Sequence, residues 1–348
     1  MTAQDYHRKW WALVGLSLLA FTAFLDFTIV STAMPYIQAM FNASVVQLQW
    51  VTSIYAMTLS MFMIAFGKMG DIYDRRKVFY LGFLFFGVAS IGAALSPTIN
   101  WLIAFRALQG FGAAIVFTLS AALLTAAFPK AEQPRAIGIY SAVTGLGLAI
   151  GPFLGGLIIT AFNWRYIFWV NIPIIVAGLF FCLYSLQPSE REEYHGGFDW
   201  LGLFLLIVAI GASLYGLNIG EQIGWNIPMT WSFLLIGLVA FIALVKQESR
   251  HKGPLLNFVT FTNPYALLAI LTCVCAGLLT NVFLFFDPLY FKIIRHYDAI
   301  TMGLLLMALP IGQVIVSLFF SGLTKRLELK QLLAAGVLFS IIGILLNS

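Results

Sequence analysis

The chain has 348 residues, of which 61% are hydrophobic and only 9% are charged. Soluble domains carry about 25% charged residues, so this composition excludes an ordinary water-soluble globular protein. The formal net charge of +5 does not indicate nucleic-acid binding, because the basic residues form no stripe or aromatic-interleaved patch.

The charges are clustered and leave long apolar intervals between them. A helix crosses the hydrocarbon core of a membrane with about 20 apolar residues. In chain order, the predicted spans cover residues 11–33, 48–66, 78–96, 100–127, 136–160, 165–186, 199–219, 230–246, 264–289, 301–322 and 331–347. The first span follows His7-Arg8-Lys9 as a signal peptide would, but its length and the ten spans after it favour a signal-anchor helix.

Lysine and arginine residues are distributed unequally between the two sides of these spans. If the N-terminus is cytoplasmic, 15 of the 19 Lys and Arg residues fall in cytoplasmic segments. This bias obeys the positive-inside rule. The sequence therefore predicts an integral membrane protein with a cytoplasmic N-terminus.

Two polar linkers divide the chain into three regions. They predict a six-helix N-terminal bundle (1–186), a linker with a two-helix insert (187–262) and a partial C-terminal bundle of three helices (263–348). Many transporters are built from six-helix halves. Because the last region would hold only three helices and the chain stops directly after an apolar stretch, we expect it to be truncated.

Asp26 and Arg106 are the sole charged residues of the first and fourth spans. Intramembrane charges are costly and usually face a cavity or a partner. Desolvation favours the neutral form of an acid, so Asp26 could load and release a proton. The two residues lie at comparable depths, and we expect them to pair or communicate. A permanent structural ion pair is the alternative.

The segment GKMGDIYDRRK (67–77) is a short basic loop in which Asp71 could cap a helix end or bind an arginine. We predict a cytoplasmic gate loop formed by Gly67, Asp71, Arg75 and Arg76. Simple positive-inside anchoring is the alternative.

The segment GLAIGPFLGG (147–156) repeats glycine every four residues at Gly147, Gly151 and Gly155. A second helix can approach such a face to backbone distance, and Pro152 can kink the helix. With Gly156, these residues predict an interface that rocks between two states. Ordinary small-residue packing is the alternative.

Candidate residues for a substrate cavity are Tyr55, Gln109 and Asp287, the last of which could equally be an interfacial acid. Glu221 is assigned to a solvated outer loop. The chain contains no phosphate-cradling Gly-Lys-Ser/Thr loop, so we expect no ATP site. We also expect no cofactor, no metal and no enzymatic activity, since no catalytic or metal-ligating constellation is present.

Together these motifs resemble the major facilitator superfamily. GKMGDIYDRRK resembles its signature between helices two and three. LIAFRALQGFGAA (102–114) resembles the helix-four signature whose arginine is implicated in proton coupling, and GLAIGPFLGG resembles the helix-five antiporter signature. LDFTIVSTAMP (25–35), WRYIFWVNIP (164–173) and FDWLG (198–202) resemble motifs of the 14-helix drug:proton antiporters of the QacA and EmrB type.

The resemblance implies an all-α major facilitator fold in the bacterial inner membrane. It implies export of amphipathic or cationic drugs in exchange for protons, with Asp26 and Arg106 in proton coupling and a periplasmic adaptor as a further partner. Asp74 departs from the family's usual glycine, but aspartate tolerates a left-handed turn better than most residues, so we expect modest harm. The chain also has eleven predicted spans instead of fourteen. An exporter of an endogenous metabolite and a transport-inactive fragment are the alternatives.

Overall fold

The computed structural model describes residues 3–186, 199–250 and 262–289, together with isolated positions between 255 and 338. These residues form the helices α1 (Ala3–Phe41), α2 (Val45–Ile72), α3 (Arg75–Ala94), α4 (Ile99–Ala127), α5 (Gln133–Ala161), α6 (Tyr166–Trp169), α7 (Asn171–Ser185), α8 (Trp200–Ile223), α9 (Pro228–Glu248) and α10 (Pro264–Leu289).

The predicted spans are confirmed wherever they fall on described residues. Eight stretches are long and apolar enough to cross a membrane, with α6 and α7 counted together as Tyr166–Ser185. They match the first eight predicted spans, and α10 matches the ninth. The all-α polytopic fold class is therefore confirmed. The last two spans and the linker 187–198 lie outside the described residues, so the total of eleven and the three-region division stay predictions.

The helix ends are set by short polar signals. Ser44 and Gln47 form a reciprocal capping box at the start of α2, with Gln47 Oε1 accepting from Ser44 N at 3.0 Å. Thr98 caps α4 through Trp101 N at 3.4 Å. Such caps satisfy backbone N–H groups that lack partners in the first helical turn. They make sharp reversals possible between antiparallel helices.

The predicted span 165–186 is interrupted instead of being one continuous helix. α6 ends at Trp169 and α7 begins at Asn171, with Val170 between them. Pro173 has no N–H group to donate to the carbonyl four residues earlier, which is that of Trp169. The break places Asn171 at the first position of α7, where it is fully buried.

α1 lies at the centre of the N-terminal bundle. It packs against α5, α7 and α4, while α4 also packs against α2 and α3. The buried apolar side chains form two clusters. The inner core lies toward the N-terminus of α1 and includes Leu16, Ala23, Tyr55, Phe86, Ala113 and Ile175. The outer core lies toward its C-terminus and includes Ile29, Val51, Ala93, Leu102 and Phe168.

α8 and α9 form a hairpin that packs on itself, and α8 contacts α2. Asp199 caps α8 by accepting from Gly202 N at 2.7 Å, and Gln247 near the end of α9 donates to Asp199 at 3.3 Å. The outward face of the hairpin is apolar, with exposed Leu201, Phe204, Leu235, Val239 and Ile242. Such a face fits a lipid environment.

Candidate functional site

A buried ion pair between Asp26 of α1 and Arg106 of α4 forms the centre of the bundle. Arg106 Nη1 donates to Asp26 Oδ2, and the two side chains are 1% and 0% exposed. The predicted contact between these residues is therefore present. Buried charges of this kind are tolerated only when they are paired and their remaining hydrogen-bonding groups are satisfied.

The guanidinium of Arg106 has three further contacts. Its Nε donates to the backbone O of Val51 at 3.1 Å, and Nη1 donates to Gln109 Oε1 at 2.8 Å. Its Cζ lies 4.3 Å from the ring centroid of Tyr55, a cation–π distance. Gly110 permits this arrangement, because a methyl group there would lie 3.0 Å from the Cα of Tyr55.

The second carboxylate oxygen of Asp26 accepts from two amides. Gln109 Nε2 and Asn171 Nδ2 each lie 2.9 Å from Asp26 Oδ1. Both amides also donate to Ser90 Oγ of α3, at 2.9 Å from Gln109 and 3.3 Å from Asn171. We call Asp26, Ser90, Arg106, Gln109 and Asn171 the polar cluster, and all five are buried.

The polar cluster forms a layer between the two apolar cores. In α1, Asp26 lies between Ala23 of the inner core and Ile29 of the outer core. In α3, Ser90 lies between Phe86 and Ala93 in the same way. Electrostatic interactions inside the layer are therefore screened little by solvent.

The glycine face of α5 packs against α1. An alanine methyl at Gly147 would lie 2.8 Å from the backbone O of Phe21, and one at Gly155 would lie 3.1 Å from the backbone O of Ile29. A methyl at Gly151 would overlap Thr28, whose Oγ1 donates to Leu148 O at 3.2 Å. We call Gly147, Gly151 and Gly155 with their α1 neighbours the glycine seam.

The other two predicted residues of this segment are Pro152 and Gly156. Pro152 does not end α5, which continues to Ala161. Gly156 does not belong to the seam, because no described atom lies within 4 Å of a methyl placed there. Four-residue spacing puts Gly147, Gly151 and Gly155 on one helix face, and Gly156 lies one residue beyond it.

The predicted gate loop is mostly helical. Gly67 and Asp71 lie within α2, and Arg75 and Arg76 begin α3, so only Tyr73 and Asp74 connect the helices. The expectation that residues 67–77 form a loop is wrong. The polar residues show where the apolar stretch ends, but the helix itself continues beyond that point. Gly67 instead packs on α4, where a methyl would lie 3.1 Å from Thr118 Cγ2.

The charges of this turn pair with each other. Arg75 Nη2 lies 2.6 Å from Asp71 Oδ1, so the predicted Asp71–arginine contact is present in an exposed (i, i+4) pair. Arg76 Nη1 donates to the backbone O of Leu186 at 3.2 Å, which ties the turn to the end of α7.

The left-handed turn that we expected Asp74 to tolerate is absent at this residue. Its φ of −63° and ψ of 110° are extended, and its Oδ1 accepts from Arg76 N at 3.0 Å. Asp74 is the N-cap of α3, a position that favours aspartate because its side chain satisfies a free backbone N–H.

The three predicted cavity residues have different surroundings. Gln109 belongs to the polar cluster, and Tyr55 lies under Arg106 with its hydroxyl donating to Ala23 O at 3.3 Å. Neither has exposed surface here, so neither lines an open cavity in this conformation. The side chain of Asp287 lies outside the described residues.

An open groove of about 300 Å³ lies between α2 and α8. Its polar lining consists of Ser53, Ser60, Asn218 and Glu221. The assignment of Glu221 to an outer loop is wrong, because α8 continues to Ile223 and Glu221 occupies its last turn. The exposed carboxylate of Glu221 therefore belongs to a helix and lines the groove.

Sequence reasoning missed Asn171 and Ser90 as members of the site. A signal for Asn171 was available, since an amide inside an apolar span, two residues before a proline, needs a buried hydrogen-bonding partner. Ser90 carried no comparable signal, because a serine in an apolar helix can bond to its own backbone.

Comparison with known proteins identifies one family whose model matches nearly the whole chain. The model of the Major Facilitator Superfamily matches residues 16–346. The "Multidrug resistance protein Stp" of Mycobacterium tuberculosis (strain CDC 1551 / Oshkosh) is 34% identical over 335 residues, covering 96% of this chain and 62% of Stp. This chain therefore spans less than two thirds of the length of that relative.

Two further likenesses bear on substrate and fold. The "Riboflavin transporter RibZ" of Clostridioides difficile (strain 630) is 27% identical over 337 residues, covering 97% of this chain and 73% of RibZ. The solved structure of the proton:xylose symporter XylE has a TM-score of 0.58 at 13% identity, covering 90% of this chain and 69% of XylE. The likeness to XylE supports the fold alone.

Proposed function

This chain belongs to the major facilitator superfamily, a family of transporters rather than enzymes, and we propose that it exports amphipathic, cationic compounds in exchange for protons. The name of Stp as a multidrug resistance protein supports export of drugs. We further propose a bacterial cytoplasmic membrane with the N-terminus inside, which the positive-inside bias supports.

The observation that carries the proposal is the buried pair of Asp26 and Arg106. When Asp26 gains a proton, the ion pair becomes a cation beside a neutral acid. Arg106 keeps Val51 O, Gln109 Oε1 and the ring of Tyr55 as neighbours, but its charge loses its counter-ion. Removing one partner of a buried pair is strongly destabilising. Protonation therefore favours a conformation in which Arg106 reaches water or another anion.

Such a change of conformation is what antiport requires. A proton and a substrate that prefer different conformations shift one equilibrium in opposite directions. The glycine seam supplies a smooth contact along which α1 and α5 can shift, and the Asp71–Arg75 turn supplies polar contacts at the inner end. In this scheme Asp26 carries the proton and Arg106 responds to its charge.

The test is ethidium transport into inverted membrane vesicles across which a proton gradient is imposed. Uptake into such vesicles corresponds to export from the cell. At equal amounts of folded protein in the vesicles, we expect Asp26→Asn to lower gradient-driven export at least about tenfold, since the amide neither ionises nor binds a proton. Asp74→Asn is the matched control, because it makes the same acid-to-amide change at the α3 N-cap, where asparagine is also favoured, and should retain export. Full export by Asp26→Asn would refute the assignment of the proton to Asp26.

A transporter of an endogenous metabolite is the second candidate, and the likeness to RibZ favours it. The discriminating measurement is a substrate screen in the same vesicles. Uptake or release of flavins without any dye or biocide export would support the metabolite transporter. Export of several unrelated cations would support the drug exporter.

A further inference from the structure

Asn171 has a feature that the ion pair does not explain. Its side chain is fully buried, and its Nδ2 donates to both Asp26 Oδ1 and Ser90 Oγ. Within the described part of the chain, nothing donates to its Oδ1. A buried carbonyl oxygen without a donor is uncommon and calls for a reason.

We propose that Asn171 is a positioning residue for Asp26 in both protonation states, donating to the carboxylate and accepting from the carboxylic acid. This inference rests on the proposed function, since it concerns the proton that Asp26 would carry. It requires that the amide of Asn171 rotate by half a turn when Asp26 is protonated, which brings its unused Oδ1 toward the acid.

The neighbours of Asp26 determine which of its two carboxyl oxygens can carry the acidic proton. Asp26 Oδ2 faces the guanidinium of Arg106, which has no acceptor atom. A proton on that oxygen would point at a cation. The acidic proton is therefore expected on Oδ1, where the two neighbouring groups are the amides of Gln109 and Asn171.

Only one of these two amides is free to rotate. The orientation of Gln109 is fixed, because its Oε1 accepts from Arg106 Nη1 at 2.8 Å while its Nε2 donates to Asp26 and Ser90. Rotation of Gln109 would turn its NH₂ group toward the guanidinium, which also only donates. On rotation Asn171 exchanges the two bonds that its Nδ2 donates for bonds that its Oδ1 accepts from the acid and from Ser90, and its Oδ1 has no existing bond with a described residue to lose.

Ser90 can follow the rotation. Its hydroxyl can both donate and accept, so it can accept from the Asn171 amide in one state and donate to the Asn171 carbonyl in the other. Among the described residues, the charged and titratable side chains that face Asp26 are Arg106 from α4 and Tyr55 from α2. α5 approaches this part of α1 with glycines. No other helix needs to move for the exchange of hydrogen bonds.

The test compares Asn171 with Gln109 by an infrared pH titration of the purified chain in lipid. The C=O band of a protonated carboxyl reports the acid form, and Asp26→Asn identifies the band of Asp26 by removing it. In the unmodified chain and in Gln109→Leu, the appearance of this acid band should be accompanied by a shift of one amide C=O band to lower frequency, because the Asn171 carbonyl gains a donor. Asn171→Leu should lose the amide shift, because it removes that carbonyl.

Asn171→Thr provides a second test, because its hydroxyl can donate and accept but carries no amide C=O. It should lose the amide shift while keeping the acid band, even if Asn171→Leu does not fold. An amide shift that persists in both Asn171 variants, or its absence from the unmodified chain, would overturn the proposal, because the Asn171 carbonyl would then not accept from the acid. If no band disappears in Asp26→Asn at any pH, proton loading at Asp26 fails and this inference falls with it. An acid band of Asp26 without an amide shift that depends on Asn171 would overturn this inference alone.

Discussion

Substituting Gly147 by alanine should destabilise the protein, whereas the same substitution at Gly156 should not. At Gly147 the new methyl would lie 2.8 Å from the backbone O of Phe21 and 3.3 Å from the backbone N of Leu25. Ordinary van der Waals contact begins near 3.4 Å, so α1 and α5 would have to separate by about 0.6 Å. Neither contacting atom belongs to a side chain that could rotate away.

The magnitude follows from two opposing effects. Overpacking a close contact costs about 1–3 kcal/mol, and replacing glycine by alanine inside a helix contributes about 1 kcal/mol of stabilisation. Gly156 lies on the same helix and gains the same propensity without a described neighbour within 4 Å. The free energies of unfolding of the two variants should therefore differ by about 1–3 kcal/mol, because the propensity cancels.

The assay is reversible unfolding of both variants in mixed micelles, followed by circular dichroism. We expect Gly156→Ala to be at least as stable as the unmodified chain and Gly147→Ala to be less stable than Gly156→Ala. Vesicle export by Gly147→Ala should also fall, if the glycine seam has to shift during transport. Equal stability of the two variants would refute the close packing of α1 and α5 at Gly147.

Three more predictions concern other contacts. Asp74→Ala should lower the free energy of unfolding by about 1 kcal/mol through loss of the α3 N-cap. Asp71→Ala breaks only an exposed pair and should cost at most about 0.5 kcal/mol; a reversed order in denaturant titrations would contradict the capping role. Asp26→Asn and Arg106→Gln should each cost about 3–5 kcal/mol. The double variant should cost clearly less than their sum, whereas additivity would mean that the two charges do not interact. Arg165→Leu removes donors to Ala94 O and Ser96 O, at 2.9 and 3.0 Å. It should increase amide hydrogen exchange at the end of α3, and unchanged exchange would show that these bonds are dispensable.

The features that could be predicted from sequence are those with strong local causes. Apolar length identified the described spans, and the isolation of Asp26 and Arg106 in their spans indicated that each needed a partner. The four-residue glycine spacing predicted close helix contact, but α1 could not be identified as the partner helix.

Other features depend on contacts between helices that a single sequence does not reveal. Polarity placed Asp71 and Glu221 in loops, although hydrogen bonding continues both helices beyond the apolar residues. Tyr55 and Gln109 were polar residues assigned to a cavity, and only packing shows that they are enclosed. The role of Asn171 depends on a helix break that an unbroken apolar stretch conceals.

The position of the polar cluster between two apolar cores has an electrical consequence. Each core consists of buried apolar side chains, a medium in which a charge is costly. Moving one elementary charge through the full potential costs about 2.3 kcal/mol per 100 mV. If Asp26 carries the proton, as we propose, a proton arriving from either side has to pass only one of the two cores. Apolar side chains with no polar contact to Asp26 would then limit the leak of protons.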